Sequence, residues 1–352
     1  MKIDTSSTQN TNQLVSQRRV INAPADTMLQ LLPYKYLWAP EFFDKMYANS
    51  WHPAEINLNE DAAVWKGSAL TDQEREVFLR SLAFVSNLDT VQTYSLAHAI
   101  SKHITAPEIQ LLVIRQLFEE TIHVLSYTQM IELLGLDPEN TYGRYRHDQA
   151  LKRKLDHICE PINALLDPNF KTGSFEDNQK FLEALVNNIL LEGVFFYSSF
   201  IMFYALARNN KMLNSARMIG LINRDEATHC GLITLVVNAM VDENPELWTT
   251  EFQAKMIDMV KRATDLEIEW GKAIIGNGIL GVNPENITQY IQFLADTRLV
   301  AIRLPRQYYV ENPFPWVDDF TQIDQELGAF FETTVSRYSQ EAPTFEQSSL
   351  DW

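Results

Sequence analysis

The chain has 352 residues, 46% of them hydrophobic, and this length allows two ordinary domains or one large domain with a packed core. Its net charge is −17, from 46 acidic and 29 basic residues, which argues against nucleic acid and anionic membranes as partners. Two cysteines are too few for a disulfide scaffold, so we expect a reducing, cytoplasmic location.

Long helices dominate the predicted secondary structure, and no pair of segments has the pattern of a β-hairpin. Two T-x-x-E sequences, Thr71–Glu74 and Thr105–Glu108, predict capping boxes at helix starts. The principal helices are predicted at about 72–101, 106–134, 178–207, 213–241, 250–275 and 286–303. The chain is therefore expected to form one all-α domain.

We expect this domain to extend from residue 17 to residue 338, between a flexible N-terminus (1–16) and a flexible C-terminal tail (339–352). The tail is polar and acidic, a composition typical of disorder. It nevertheless ends in Phe345, Leu350 and Trp352, apolar side chains for which an unbound tail has no use. This pattern predicts a peptide that docks on a partner.

The apolar segment from Ile189 to Ala207 contains a single charged residue, Glu192. Its length is enough to span a bilayer, but a carboxylate in lipid is costly. A core helix whose Glu192 meets a metal ion explains the same pattern, and we favour it.

Two Glu-x-x-His sequences carry the strongest chemical signal: Glu120–His123 and Glu226–His229. Both lie inside apolar runs of predicted helices, where an unpaired carboxylate is costly. Residues i and i+3 share a helix face, so each glutamate and its histidine can reach one ion together.

Two further helices each offer one carboxylate. Glu192 is the only charge in the apolar segment from Ile189 to Ala207, and Asp89 lies on the helix before the first Glu-x-x-His. One carboxylate from each of two helices, with Glu-x-x-His from each of two others, is the arrangement of ferritin-like di-iron proteins. Four carboxylates balance two divalent ions. The alternative, that all are surface or satisfied core residues, explains the pattern less well. The predicted metal ligands are Asp89, Glu120, His123, Glu192, Glu226 and His229.

Tyr127 lies four residues after His123, on the metal-facing side of the same helix. Phe196, Phe200 and Ile222 stand at helical spacings from the other ligands and are expected to wall the same pocket. A phenol in a dry pocket beside redox metals is what a long-lived tyrosyl radical needs. Taken alone, core packing is the alternative role for this tyrosine.

The motifs around these residues resemble those of the small, radical-generating subunit of class I ribonucleotide reductase, over about residues 17–352. The resemblance implies a ferritin-like four-helix bundle with additional helices and a dinuclear metal site in its core. The segments that carry it are Trp51-His-Pro-Ala-Glu55, Leu88-Asp89, Phe118-Glu-Glu-Thr-Ile-His123, Ser126-Tyr127, Glu192-Gly-Val-Phe-Phe196-Tyr-Ser-Ser-Phe200, Arg224-Asp-Glu-Ala-Thr-His229, Asn312-Pro-Phe-Pro-Trp316 and Phe330-Phe-Glu-Thr333.

The resemblance also implies roles for individual residues. The metal ions would react with dioxygen, or a reduced form of it, and oxidise Tyr127 to a radical. Trp51, linked through Asp225 to His123, would supply an electron during cofactor assembly, and the same path would carry the radical outward. Tyr338 would relay it to the large subunit. A structural role is the alternative for Trp51, Asp225 and Tyr338.

Cofactor and partners follow from the same resemblance. Tyr127 and the four carboxylates favour a di-iron centre. The alternatives are a dimanganese centre, which requires a flavoprotein activase, and a manganese–iron centre, in which the oxidising equivalent can stay on the metals. The expected partners are a second copy of the chain, in a homodimer, and the large subunit, bound through the tail. Rival functions are a two-metal oxidase acting on a hydrophobic substrate and a metal-storage bundle.

Overall fold

Helices form nearly all of the regular structure. The computed structural model describes residues 8–24, 30–276, 279 and 281–321, and this part of the chain contains isolated β-bridges but no β-strand. The α-helices are α1 (Thr11–Gln17), α2 (Trp38–Ala48), α3 (Asn59–Lys66), α4 (Asp72–Ser95), α5 (Pro107–Leu134), α6 (Pro138–Tyr142), α7 (Gln149–Leu166), α8 (Phe175–Leu190), α9 (Tyr197–Arg208), α10 (Leu213–Glu243), α11 (Thr250–Ile275), α12 (Pro284–Ala301) and α13 (Asp318–Thr321).

A four-helix bundle lies at the centre of the fold, formed by α4, α5, α10 and the continuous helical stretch of α8 and α9. Helix α4 packs on α5 and α9, while α10 packs on α5, α8 and α9. Helices α7, α11 and α12 cover the outside of this bundle, and their apolar faces join the same continuous core. The expected all-α, ferritin-like bundle with additional helices is confirmed.

Each of the six predicted helices is present, with ends shifted by a few residues. At the start of α4, the Thr71 hydroxyl accepts a hydrogen bond from the Glu74 amide at 3.2 Å, and the Thr71 amide donates to the Glu74 carboxylate at 2.8 Å. This capping box is confirmed. Helix α7 was not predicted, although Leu151, Ile158 and Ile162 recur at helical spacing, because Pro161 interrupts the pattern.

The capping box predicted at Thr105 is wrong. The N-cap of α5 is Ala106, without a side-chain hydrogen bond. The Thr105 hydroxyl instead donates to the Arg19 carbonyl at 2.9 Å, and Glu108 pairs with the buried Arg18 at 3.4 Å. Thr105 and Glu108, the two side chains of the predicted capping box, therefore bind the N-terminal segment instead.

The apolar segment that could have been a membrane span is a core helix. Phe175–Arg208 is long and apolar enough to cross a bilayer, but its most apolar window is completely buried inside the protein. This stretch consists of α8 and α9 joined by a π-helical segment, Leu191–Phe195, which contains Glu192. A second π-helical segment, Leu96–Ile100, follows α4. Such segments occur frequently at functional sites.

The domain boundaries at residues 16 and 338 stay predictions. Tyr338 and the tail at 339–352 lie outside the described residues.

Candidate metal centre

All of the predicted metal ligands converge in the middle of the bundle, and all are fully buried. They form two overlapping groups, and within each group one potential ligand atom per residue lies within 4.8 Å of the others. Glu120 and Glu226 belong to both groups, as ligands that bridge two ions would. The first group consists of Asp89, Glu120, His123 and Glu226, and the second of Glu120, Glu192, Glu226 and His229.

The Nδ1 atom of each histidine faces the carboxylates. His123 Nδ1 lies 3.0 Å from Glu226 Oε1 and 3.5 Å from Glu120 Oε2. His229 Nδ1 lies 3.1 Å from the other oxygen of each of these glutamates. Of the two histidines, His123 is the one near Asp89, with 3.7 Å between Nδ1 and the carboxylate. Each of the two glutamates shared by both groups therefore turns one oxygen toward each histidine.

Many of these ligand atoms lack a hydrogen-bond partner among the described residues. They include both oxygens of Asp89 and Glu120, Oε2 of Glu192, Oε1 of Glu226 and Nδ1 of His123. Such buried polar atoms are costly unless something satisfies them. Four carboxylates and two imidazoles suit first-row divalent metals, and their charges balance two such ions. The residues present therefore fit a dinuclear centre.

The crowding of charge shifts several pKa values. Burial and the neighbouring carboxylates raise the pKa of Asp89 and of Glu192 well above the usual range. Burial alone would lower the pKa of His123 and His229, but the surrounding carboxylates raise both. Burial also opposes ionisation of Glu226, yet the two imidazoles hold its pKa below the usual range. Because ligands must be deprotonated, metal binding here would release protons.

Amide side chains fix the orientation of Glu192. Gln116 donates to its Oε1 atom at 2.8 Å, and Gln92 donates to the same oxygen. Asn188 in turn donates to Gln92 at 2.8 Å. The other oxygen of Glu192 lies 3.8 Å from His229 Nδ1. These amides were not predicted, because only their burial in the folded bundle sets them apart from other polar helix residues.

Each histidine presents its Nε2 atom to a second carboxylate outside the cluster. His123 Nε2 lies 3.3 Å from Asp225, the predicted partner, and His229 Nε2 lies 2.8 Å from Glu119. A carboxylate at one ring nitrogen orients the ring and leaves the other nitrogen free for a metal. Glu119 was missed because its position beside Glu120 reads as a solvated neighbour, yet it is only 5% exposed.

Trp51 connects the cluster to the edge of the protein. Its Nε1 atom donates to Asp225 at 2.7 Å, and its ring stacks over His123 with 6.4 Å between ring centroids. The indole itself is half-buried. The structure thus brings Trp51, Asp225 and His123 together in the predicted order.

Tyr127 is fully buried in the bundle core. Burial and the charge of Asp89, which lies beside the phenol, raise the pKa of Tyr127 well above its usual value, so the phenol stays protonated. Phe196, Phe200 and Ile222 are also fully buried, and the two phenylalanine rings stack with centroids 5.4 Å apart. Their arrangement as walls of one pocket around the phenol stays a prediction.

The sequence is similar to those of ribonucleotide reductase subunits. The family model for ribonucleotide reductase, small chain, matches residues 28–313. The ribonucleoside-diphosphate reductase subunit beta of Chlamydia pneumoniae is 36% identical over 325 residues, which covers 92% of this chain and 94% of that protein. The corresponding subunit of Halalkalibacterium halodurans is 32% identical and the match covers 91% of each chain.

Solved structures agree with this result. The ribonucleotide reductase R2 subunit of Clostridium botulinum superposes with a TM-score of 0.80 at 35% identity, covering 86% of this chain and 94% of that one. The dimanganese(II)-NrdF of Streptococcus sanguinis superposes with a TM-score of 0.70 at 20% identity, covering 83% and 98%, and this likeness shows the fold alone. The chain therefore belongs to the small-chain family of ribonucleotide reductase, the beta subunits that act with a large subunit to reduce ribonucleotides.

Proposed function

We propose that this subunit holds two metal ions and uses them to generate and store a radical on Tyr127 for the large subunit. The observation that carries this proposal is a cluster of four carboxylates and two imidazoles beside a fully buried phenol. When bound, the ions would supply the oxidising equivalent by reaction with dioxygen or a reduced form of it. A metal-storage bundle has no use for a phenol in this position.

The chain's own residues prepare Tyr127 for oxidation. A phenol that loses an electron also loses its proton, and Asp89, whose charge acts on this phenol, is the proposed acceptor of that proton. The dry core around Tyr127 excludes water and solutes that would reduce the radical.

The link from His123 through Asp225 to Trp51 is the proposed path for electrons and for the outgoing radical. Its contacts of 3.3 Å and 2.7 Å form a continuous connection between the cluster and a half-buried indole. Tyr338 is the proposed next relay toward the large subunit. A two-metal oxidase acting on a bound hydrocarbon would need neither this relay nor a docking tail.

We propose a di-iron centre, because Tyr127 and all four carboxylates are present. A dimanganese centre, with a flavoprotein activase, and a manganese–iron centre would use the same ligands. The proposed location is cytoplasmic, which agrees with the free thiols of Cys159 and Cys230.

Replacing the phenol tests the radical site. Metal-free protein is loaded with ferrous iron and exposed to oxygen, and the radical is recorded by EPR and visible absorption. We expect a tyrosyl radical that is lost completely in Tyr127→Phe and kept in Tyr204→Phe, a control at another fully buried tyrosine. A signal that survives Tyr127→Phe would contradict the assignment. So would the absence of a radical under iron, manganese or mixed loading with a flavoprotein activase.

The outer carboxylates allow the two ions to be weakened separately. Asp225→Asn should weaken the ion on the His123 side and Glu119→Gln the ion on the His229 side, each about 10–100-fold, because such partners orient the ligands. Anaerobic isothermal titration calorimetry with stepwise addition of manganese(II) measures the affinities of both ions. The double variant should weaken both ions, and Glu132→Gln, on the exposed side of α5, should weaken neither. A double variant no weaker than the single variants would refute the two-site assignment.

The proposed docking segment is the C-terminal tail, through its acidic and apolar residues. Deleting residues 341–352 should abolish binding to the large subunit, measured by surface plasmon resonance, and leave the radical yield unchanged. Deletion of residues 1–7 serves as the control for removal of a terminus. If the truncated chain binds the large subunit with normal affinity, the docking segment lies elsewhere.

A stripe of exposed apolar side chains on α5 supports the proposed homodimer. Leu111, Ile114, Phe118 and Leu125 recur at helical spacing and are 45–59% exposed. A contiguous apolar surface of this kind typically marks a protein–protein interface. Helix α5 would then present its ligands to the metal centre on one face and the second copy of the chain on the other.

A single charge in this stripe tests the interface. We expect Ile114→Asp to shift the protein from dimer to monomer in sedimentation velocity, since a buried unpaired carboxylate is costly. Val300→Asp, at a 50% exposed apolar residue of α12, should leave the dimer intact. A dimer that survives Ile114→Asp would exclude this face.

A further inference from the structure

The helix that carries Glu192 is interrupted at the metal centre. A π-helical segment breaks the regular i to i−4 hydrogen bonding, so nearby backbone groups need other partners. Three backbone groups in and just after Leu191–Phe195 are bound by side chains from outside the helix. They are the carbonyls of Gly193 and Phe195 and the amide of Ser198.

Two of these partners form a buried ion pair. Lys154 of α7 and Glu267 of α11 are both fully buried and in contact with each other. Lys154 donates to the Phe195 carbonyl at 2.7 Å, while Glu267 accepts from the Ser198 amide at 3.0 Å and from its hydroxyl. A buried ion pair is weak evidence for stabilisation, because desolvation of the charges offsets their attraction. The hydrogen bonds of this pair to the backbone around the π-helical segment indicate that it positions that backbone.

The third partner is Arg298 of α12, which donates from Nε to the Gly193 carbonyl at 3.1 Å. Gly193, the residue after Glu192, allows this close approach. An added Cβ atom there would lie 2.5 Å from Arg298 Nε and 2.7 Å from Cys230 Sγ. A larger residue would therefore displace the guanidinium from the segment.

The π-helical segment Leu191–Phe195 contributes a ligand to only one of the two groups. Glu192 belongs to the ligand group that contains His229 and not to the group that contains Asp89 and His123. A shift of the backbone at residues 191–195 would move the Glu192 oxygen that faces His229 and leave the other group in place.

We propose that Lys154, Glu267 and Arg298 are positioning residues that fix the π-helical segment and thereby set Glu192 as a ligand for one of the two ions. This inference rests on the proposed dinuclear centre. The three side chains act through the backbone of residues 193–198, and their loss should weaken only the ion on the His229 side.

Two variants test this role. Lys154→Met combined with Glu267→Leu removes both charges together and leaves no unpaired buried ion. Arg298→Leu removes the hydrogen bond to the Gly193 carbonyl, and its site is only half-buried. In anaerobic titration with manganese(II), with free ion counted by EPR, each variant should weaken one ion about 10–100-fold and leave the other unchanged. The matched control is Arg153→Met with Glu269→Leu, an exposed ion pair between the same two helices, which should change neither ion.

Combined variants identify the affected ion. Adding Arg298→Leu to Glu119→Gln should leave one ion at its original affinity, whereas adding it to Asp225→Asn should weaken both ions. Equal weakening of both ions by Arg298→Leu alone, or no change in either, would overturn the positioning role. If the double variant at Lys154 and Glu267 fails to fold, judged by circular dichroism, the Arg298→Leu result decides. An unaltered chain that binds fewer than two ions would overturn the centre itself, and this inference with it.

Discussion

The rest of this structure depends on one constraint: four carboxylates lie close together in the buried core. Like charges at this distance cannot all stay ionised in a low-dielectric core without cations, and the raised pKa values of Asp89 and Glu192 express that conflict. The surrounding bundle holds the ligands close in spite of their repulsion. Two divalent ions would resolve the conflict by balancing the charge. Only a few of the carboxylates behind the net charge of −17 are involved.

The ligands themselves could be predicted because helix geometry is local. The i, i+3 spacing puts Glu120 beside His123 and Glu226 beside His229 wherever the helices pack, and a charge inside an apolar run marks Glu192 as exceptional. The family motifs then supplied the link from Trp51 through Asp225, whose geometry the structure reproduces. Each of these signals is contained in one short segment of sequence.

The supporting residues could not be predicted because their partners are distant in sequence. Glu119 meets a histidine 110 residues away, and Gln92 meets Glu192 across 100 residues. The capping box expected at Thr105 failed for the same reason, since the N-terminal segment takes up its side chains. Lys154 lies in a helix that its internal proline concealed. Local patterns identify the groups that do chemistry, while the groups that aim them are defined only by packing.

The two halves of the proposed centre are not equivalent. The half that contains Asp89 and His123 lies near the phenol of Tyr127 and connects through Asp225 to Trp51, so both the proposed radical site and the proposed electron path lie on that side. The other half contains Glu192, whose backbone is interrupted and held from outside the bundle. Asp89 and His123 lie within the regular helices α4 and α5. The asymmetry of the protein around a nearly symmetric ligand set therefore predicts different tasks for the two proposed metal positions.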